Sequence, residues 1–344
     1  MSKETILVTG GAGYIGSHTI VSLLETTHYD VISADNYANS TARTYERIEA
    51  ITGKKVNHVE ADLSIEEDVE ALFRNHPNIS GVIHFAAHKS VPESVLYPEK
   101  YYRNNINSLL NILEIGKKYN LRKIIFSSSC SVYGNIETLP VSETTPLSVT
   151  ESPYAYTKLV GEQILRDVIN GNQNLTGIAL RYFNPVGAHA SGHLGELPNS
   201  RPNNLVPVIT QTAIGKTSGM KIFGNDYTTR DGTCVRDYVH VCDIAEAHVL
   251  ALKMQFEGRS ANRYDLFNLG SGNGVTVLEA IHAFEKTSGK KLSYEFAPRR
   301  AGDVAAIYSD STKALKELNW KTSRSLDQMM ESAWKWELHL AQNG

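Results

Sequence analysis

The sequence predicts an α/β protein: a doubly wound parallel sheet of the Rossmann type, followed by a smaller C-terminal α/β domain. Three observations support this prediction. Apolar β-forming runs alternate with helical periodicities through the first half of the chain, as expected for a parallel sheet with helices on both faces. The first apolar run ends in a turn with regularly spaced glycines. Beyond Pro185 the elements become shorter, and a long loop without periodicity intervenes.

The elements of the first half follow from local patterns. The first strand begins at Thr5 and leads through the glycine turn into a helix, and a polar connection is expected at 37–53. Each further strand is a short apolar run, and each helix repeats apolar residues at a spacing of three to four. The strands are expected at 30–34, 56–61, 81–87, 123–127 and 175–181, and the helices at 66–75, 98–120 and 153–170.

The second half begins with a loop at 187–204 that is rich in Gly, Pro, Asn and His. Loops of such length are usually functional or disordered, and its composition favours function. Helices are expected at 205–214, 241–254, 277–288 and 326–341, and strand-like pieces at 221–223, 236–240 and 267–270. We therefore expect two domains, at 1–185 and 186–344, although the second half could return strands to the first sheet.

Composition and charge argue against several classes of partner and site. The 344 residues carry a net charge of −3 without a block of like charge, so neither nucleic acid nor a membrane surface is an expected partner. No apolar run is long enough to span a bilayer, and no signal peptide is recognised at the N-terminus. Cys130, Cys234 and Cys242 are odd in number, which favours reduced thiols in the cytoplasm. The histidines lack metal-binding spacing, so no metal site is predicted.

The glycine turn between the first strand and the first helix is typical of a dinucleotide site. Gly11, Gly13 and Gly16 fit G-x-G-x-x-G, and Gly10, Gly13 and Gly16 fit a looser form of it. Glycine permits the tight turn and lets backbone amides approach a pyrophosphate at the positive end of the helix. The alternative is an ordinary glycine-rich turn.

Asp35 ends the second strand, nineteen residues after Gly16. A carboxylate at this place binds the ribose hydroxyls of adenosine and repels a 2′-phosphate. Asn36 follows it rather than an arginine, so NAD is favoured over NADP. A solvated aspartate without such a role is the alternative.

The second chemical signal is Tyr154 with Lys158. Four residues apart, both project from one helix face. An ammonium near a phenol stabilises the phenolate and is expected to lower its pKa from about 10 toward neutrality, which makes tyrosine a general base. Ser129 lies at the end of a predicted parallel strand, where sites of open α/β sheets are found. The alternative is a partly buried tyrosine with a solvated lysine.

These residues and several longer motifs resemble the extended short-chain dehydrogenase/reductase family and, within it, the UDP-glucose 4-epimerases. The resemblance spans about residue 5 to residue 337, and its longer motifs lie at 14–19, 126–129, 132–134, 181–188, 203–205, 222–227, 235–238 and 297–303. It implies an NAD-dependent isomerase that interconverts UDP-glucose and UDP-galactose. Tyr154 would take the proton from O4, Ser129 would hydrogen-bond O4, and Lys158 would hold the nicotinamide ribose. Hydride would leave C4 and return to the other face after the 4-keto sugar has turned.

The resemblance also implies the residues that hold each ligand. For NAD they are Gly10, Gly13, Tyr14, Ile15, Gly16, Asp35, Asn36, Asn39, Ser40, Asp62, Leu63, Phe85, Ala86, Ala87, Lys89, Asn104, Ser129, Tyr154, Lys158 and Phe183. For the UDP-sugar they are Ser129, Tyr154, Asn184, Asn204, Ile222, Phe223, Arg236, Arg300, Asp303 and Ile307. Structural roles are the alternatives, such as a helix N-cap for Asp62 and a surface basic pair for Arg299 and Arg300.

Cys130 and Ile307 are positions at which the sequence departs from the family pattern. Cys130 replaces a small residue. At the position of Ile307, the resemblance associates tyrosine with exclusion of N-acetylated sugars and small residues with their admission. Isoleucine is intermediate in size, so the expectation is that UDP-glucose and UDP-galactose are the main substrates, with a weak side activity on UDP-N-acetylhexosamines. A homodimer through the helices at 98–120 and 154–170 is also implied.

Two other functions remain as alternatives. One is another nucleotide-sugar enzyme, such as a dehydratase or uronate epimerase, and the other is an inactive NAD-binding module.

Overall fold

The computed structural model describes residues 3–198, 202–300 and 303–343. The helices in these ranges are α1 Tyr14–Thr26, α2 Arg43–Thr52, α3 Glu66–Asn75, α4 Val91–Leu96, α5 Pro98–Lys118, α6 Pro153–Gly171, α7 Leu205–Ala213, α8 Val241–Phe256, α9 Val277–Ser288 and α10 Leu326–Asn343. The strands are β1 Thr5–Thr9, β2 Asp30–Asp35, β3 Asn57–Glu60, β4 Ile79–His84, β5 Lys123–Ser129, β6 Thr176–Tyr182, β7 Asn184–Val186, β8 Met220–Phe223, β9 Val235–His240, β10 Tyr264–Leu269, β11 Gly274–Thr276, β12 Tyr294–Ala297 and β13 Ala306–Ile307.

The main sheet has seven strands in the order β10-β6-β5-β4-β1-β2-β3. Every neighbouring pair in it is parallel. The central β1 is an unbroken apolar run, and Ile6, Leu7 and Val8 are fully buried, as strands covered by helices on both faces require. The predicted Rossmann-type α/β fold is therefore confirmed.

The strand order determines where a ligand can bind. Chain order reverses between β1 and β4, because β2 and β3 continue on one side of β1 and β4, β5 and β6 on the other. Ligands of open α/β sheets bind outside the carboxyl ends of the strands at such a reversal. The glycine turn after β1 lies at this position.

The second half of the chain forms smaller sheets beside that edge. In these sheets β9 pairs with β7, β11 and β13, and β8 pairs with β12. The second half also supplies β10, which joins the main sheet beside β6. The division at residue 185 stays a prediction.

The polar connection expected at 37–53 contains a helix, α2, so that expectation is wrong. The helix buries only Thr44, Tyr45 and Ile48, so its apolar stripe is too narrow to stand out from the charged residues around it. The Tyr45 hydroxyl lies 2.7 Å from the Ser33 hydroxyl of β2, which anchors the helix to the sheet. Short elements such as α4, β7 and β13 were also missed, since each has six residues or fewer.

In the described ranges of the chain, no helix combines the length and the apolarity needed to cross a bilayer.

Candidate active site

The glycine turn leaves no room for side chains at two of its positions. Gly10 has φ +66°, and a Cβ there would lie 2.8 Å from the backbone nitrogen of Ala86. A Cβ on Gly16 would lie 2.4 Å from the carbonyl oxygen of Gly10. Helix α1 therefore packs against the end of β1 as closely as backbone atoms allow, which is the arrangement that a dinucleotide-binding turn needs.

The outer side of the same turn is open. A Cβ on Gly13 would meet only the Gly10 carbonyl oxygen within 4 Å, at 3.1 Å. Gly13 is the N-cap of α1, and the described residues provide neither a side-chain cap nor an acidic residue in the first turn. The first amides of α1 can thus donate to an anion, and the helix dipole favours a negative charge there.

Asp35 organises the neighbouring turn. One of its carboxylate oxygens accepts a hydrogen bond from the Ala12 amide at 3.0 Å, and the other accepts from the Tyr37 amide at 2.9 Å and the Ser40 hydroxyl at 2.8 Å. The carboxylate is buried and joins the glycine turn to the turn after β2. A carboxylate offers about four acceptor positions, so one remains for a ribose hydroxyl.

The turns after β2, β3 and β4 meet at this edge of the sheet. The Asn36 amide lies 3.3 Å from the Asp62 carboxylate, and the Asn39 amide lies 3.3 Å from the His88 ring. Although partial burial raises the pKa of Asp62, hydrogen bonds from Ser64 and Asn36 hold it below its ordinary value. This group of predicted cofactor residues is thus brought together by the fold, and Leu63 is buried beside it.

The remaining predicted cofactor residues lie around the turn after β4. The Ala86 amide lies 3.3 Å from the Thr9 hydroxyl, and the Phe85 ring packs 4.6 Å from the His248 ring. Ala87 follows them, and Phe183 is buried after β6. Tyr14 is partly buried, and its hydroxyl donates to the Gly187 carbonyl at 2.6 Å. Ile15 and Asn104 are partly buried, and the Asn104 amide donates to Asn105 at 2.9 Å.

Helix α6 carries Tyr154 and Lys158 to the end of β5. Ser152 caps the helix by accepting from the Ala155 amide at 3.2 Å, and Pro153 occupies its first position, where a missing amide costs nothing. The Lys158 ammonium donates to the Ser127 carbonyl at 2.7 Å. Side chains of Ser129, Tyr154 and Lys158 are all buried. The predicted trio is thus assembled at one place.

The pKa of the phenol differs from the expectation. Burial raises the pKa of Tyr154 above its ordinary value, and a hydrogen bond from Ser129 opposes this only in part. The Lys158 ammonium is directed to the Ser127 carbonyl. Burial lowers the pKa of Lys158 itself to about 8. Loss of water disfavours both charged forms, so the protein alone does not hold a phenolate near neutral pH.

The predicted UDP-sugar residues form a second group, centred on Arg236. Its guanidinium donates to the Val304 carbonyl at 2.8 Å and lies 3.3 Å from the Asp303 carboxylate. Ile307 pairs in register with Arg236 and is buried. The Arg300 guanidinium lies 4.4 Å above the Phe223 ring. Ala301 and Gly302 of the predicted arginine loop lie outside the described residues.

Three further predicted residues lie on β7, on β8 and just before α7. Asn184 pairs in register with Tyr238, beside Arg236 on β9, and Ile222 is buried on β8 next to Phe223. Asn204 precedes α7, and its amide donates to the Glu196 carboxylate at 2.8 Å.

Sequence reasoning missed four polar residues that hold the site together. Glu196 joins Asn204 to Lys89, whose ammonium lies 3.1 Å away. The side-chain oxygen of Asn105 accepts from the His88 amide, and its side-chain nitrogen donates to the His88 carbonyl and to the Thr157 hydroxyl. Glu162 and Arg181 form a buried ion pair behind Lys158. Only Glu162 had a readable signal, since it repeats the four-residue spacing of Tyr154 and Lys158.

Similarity to known proteins extends over nearly the whole chain. A family model described as GDP-mannose 4,6 dehydratase matches residues 7–333. A protein of Bacillus subtilis (strain 168) named UDP-glucose 4-epimerase is 49% identical over 332 residues, which cover 96% of each chain.

Solved structures give the same result. The UDP-glucose 4-epimerase from Bifidobacterium longum, in complex with NAD+ and UDP, has a TM-score of 0.93 and 46% identity, with 99% of this chain and 100% of that chain covered. The UDP-glucose-4-epimerase from Stenotrophomonas maltophila, with bound NAD and formylated UDP-arabinopyranose, has a TM-score of 0.94 and 44% identity at the same coverage. The chain therefore belongs to the extended short-chain dehydrogenase/reductase family and, within it, to the UDP-glucose 4-epimerases.

Proposed function

We propose that this protein interconverts UDP-glucose and UDP-galactose and that NAD is its cofactor. The observation that carries the proposal is the joint burial of Ser129, Tyr154 and Lys158 at the carboxyl end of β5. The names of relatives that are nearly half identical support it.

The three buried residues divide the proton chemistry. Tyr154 accepts the proton of the sugar O4 hydroxyl as a general base. Ser129 hydrogen-bonds the same oxygen; its hydroxyl also accepts from Ser131 at 2.9 Å, which fixes its direction. Lys158 is anchored on the Ser127 carbonyl. It binds the nicotinamide ribose and adds a positive charge that favours the Tyr154 phenolate.

The residues around the glycine turn fit NAD. When bound, NAD+ would supply a positively charged ring that accepts the hydride leaving C4 of the sugar. The amides at the start of α1 and the open side of Gly13 suit its diphosphate. Asp35 suits the adenosine ribose and disfavours a 2′-phosphate.

The residues around Arg236 fit the UDP moiety. Arginines bind diphosphates through planar, bidentate donors, and Arg236 and Arg300 supply two such groups. Asp303 accepts from the uridine ribose. The Arg300 guanidinium lies 4.4 Å above the Phe223 ring, which holds it in place.

A dehydratase is the second candidate, because the matching family model is described by that activity. Elimination of water needs an acid–base pair beside the serine. Cys130 and Ser131 follow Ser129 and provide no carboxylate, and burial raises the pKa of the Cys130 thiol to about 12. The residue chemistry therefore favours epimerisation.

Replacing Tyr154 by phenylalanine tests the proton transfer. We expect Tyr154→Phe to lower kcat for UDP-galactose at least about a hundredfold, the usual contribution of general acid–base catalysis, while bound NAD is retained. Tyr156→Phe is the control, since Tyr156 is exposed on the same helix. Product UDP-glucose is measured chromatographically. Full activity in Tyr154→Phe would refute the assigned role.

Ile307 tests the substrate range. Ile307 pairs in register with Arg236 between β13 and β9, and the family resemblance places this position beside the hexose, where its bulk limits the space for an N-acetyl group. We expect a higher rate with UDP-galactose than with UDP-N-acetylgalactosamine, for which weak side activity is proposed. Ile307→Tyr should lower the N-acetyl rate by about tenfold, in the range that pocket size usually controls. A faster N-acetyl rate in the unmodified protein would contradict the assignment.

We also propose a homodimer that packs through α5 and α6. Leu110 and Tyr156 on these helices are 40% and 47% exposed, so both side chains are free to contact a second copy of the chain. Sedimentation analysis should give the mass of a dimer. Leu110→Glu should weaken the dimer, whereas Leu338→Glu, at a similarly exposed leucine of α10, should leave it intact. A monomeric unmodified protein would reject the proposal.

The cytoplasm is the proposed location. Cys130, Cys234 and Cys242 are free thiols, which suits a reducing compartment.

A further inference from the structure

An ion pair lies directly behind the Tyr154/Lys158 pair. Glu162 follows Lys158 by one helical turn of α6, and its side chain is almost completely buried. Its carboxylate accepts from Arg181 through two guanidinium nitrogens, at 2.8 and 2.6 Å. The same carboxylate accepts from the Ser128 hydroxyl at 2.5 Å. Helix α6, strand β5 and strand β6 therefore converge on Glu162.

The contact with Ser128 controls the end of β5. Ser128 lies between Ser127, whose carbonyl holds the Lys158 ammonium, and Ser129, which lies beside Tyr154. A movement of Glu162 would therefore displace both groups that orient the pair. Arg181 is fixed in turn, since its guanidinium lies 4.9 Å above the Tyr133 ring.

Stability alone does not explain this arrangement. Taking two charges out of water costs several kcal/mol per ion, and apolar replacements of buried ion pairs are often neutral or stabilising. A pair of apolar residues could therefore join α6 to β6. What an apolar pair could not provide is a negative charge one turn from Lys158.

The other titratable groups around Lys158 do not supply that charge. On α6 the neighbour is Tyr154, a phenol whose pKa is raised by burial. His84 on β4 is neutral, because burial lowers its pKa to about 3, and burial raises the pKa of Tyr182 on β6 to about 12. Arg181 on β6 is cationic. Among the described residues, Glu162 is the anion that raises the pKa of Lys158 against the effect of burial.

We propose that Glu162 is a positioning residue of this site: it fixes the end of β5 that holds the Lys158 ammonium and supplies the negative charge that keeps Lys158 protonated. The inference rests on the proposed function, in which the ammonium form of Lys158 supports the phenolate. The apolar surroundings make the charge effective, because screening by water is weak there.

The pH dependence of kcat for UDP-galactose tests this inference. Activity should fall at alkaline pH as Lys158 loses its proton. Glu162→Gln removes the anion, so the pKa of Lys158 falls and the alkaline limb moves to lower pH by roughly one unit. Glu162→Asp keeps the charge, and Arg181→Lys alters the geometry of the pair without changing its charge. Either control variant is expected to lower kcat without shifting the alkaline limb of the pH profile.

A second readout does not depend on turnover. Side-chain NMR titration of labelled lysines, assigned with Lys158→Met, should give the same shift in the Lys158 pKa. If Glu162→Gln does not fold, the double variant Glu162→Gln with Arg181→Met replaces it, because no unpaired guanidinium remains; the pKa of Lys158 is again expected to fall.

The outcomes separate the inference from the proposed function. An alkaline limb and a Lys158 titration that are the same with and without Glu162 would overturn the inference and leave Glu162 a purely structural residue. A wild-type protein that does not convert UDP-galactose would reject the proposed function, while the NMR titration would still decide the role of Glu162.

Discussion

The hydrogen bond from the Lys158 ammonium to the Ser127 carbonyl, 2.7 Å long, ties helix α6 to the carboxyl end of β5. It places a cation and a phenol beside Ser129, at the edge of the sheet where the glycine turn also lies. The turn can hold a dinucleotide only because Gly10 and Gly16 let backbones approach so closely. The glycine turn and Tyr154 therefore lie at the same edge of the sheet, because parallel strands present their carboxyl ends there.

Local sequence patterns were sufficient to predict where most of these residues lie in the fold. The spaced glycines, Asp35 at the end of β2, and Tyr154 four residues before Lys158 are signals within single elements, and the fold brings the corresponding side chains together. The same approach missed α2, whose buried face consists of three residues. It also missed strands as short as β13, with two residues, because their pairing comes from tertiary contacts rather than from periodicity.

Electrostatics was harder to predict than position. The spacing of Tyr154 and Lys158 predicts their proximity, but the pKa of the phenol depends on how much water the whole fold removes. In the protein alone, burial raises the pKa of the phenol, and the hydrogen bond from Ser129 opposes this only in part. Glu162 illustrates the same limit, since its spacing is visible in the sequence while its partners, Ser128 and Arg181, come from two strands.

The central claim is that Tyr154 becomes a phenolate in the complete site, although the protein alone raises its pKa. The most direct measurement is the difference in phenolate absorbance between the wild-type holoenzyme and Tyr154→Phe, followed across pH. The account predicts that one tyrosine ionises near neutral pH when NAD+ is bound, because a nearby positive charge favours the phenolate. The ordinary pKa of tyrosine is about 10. A difference spectrum in which the phenolate forms only above that pH would contradict the account.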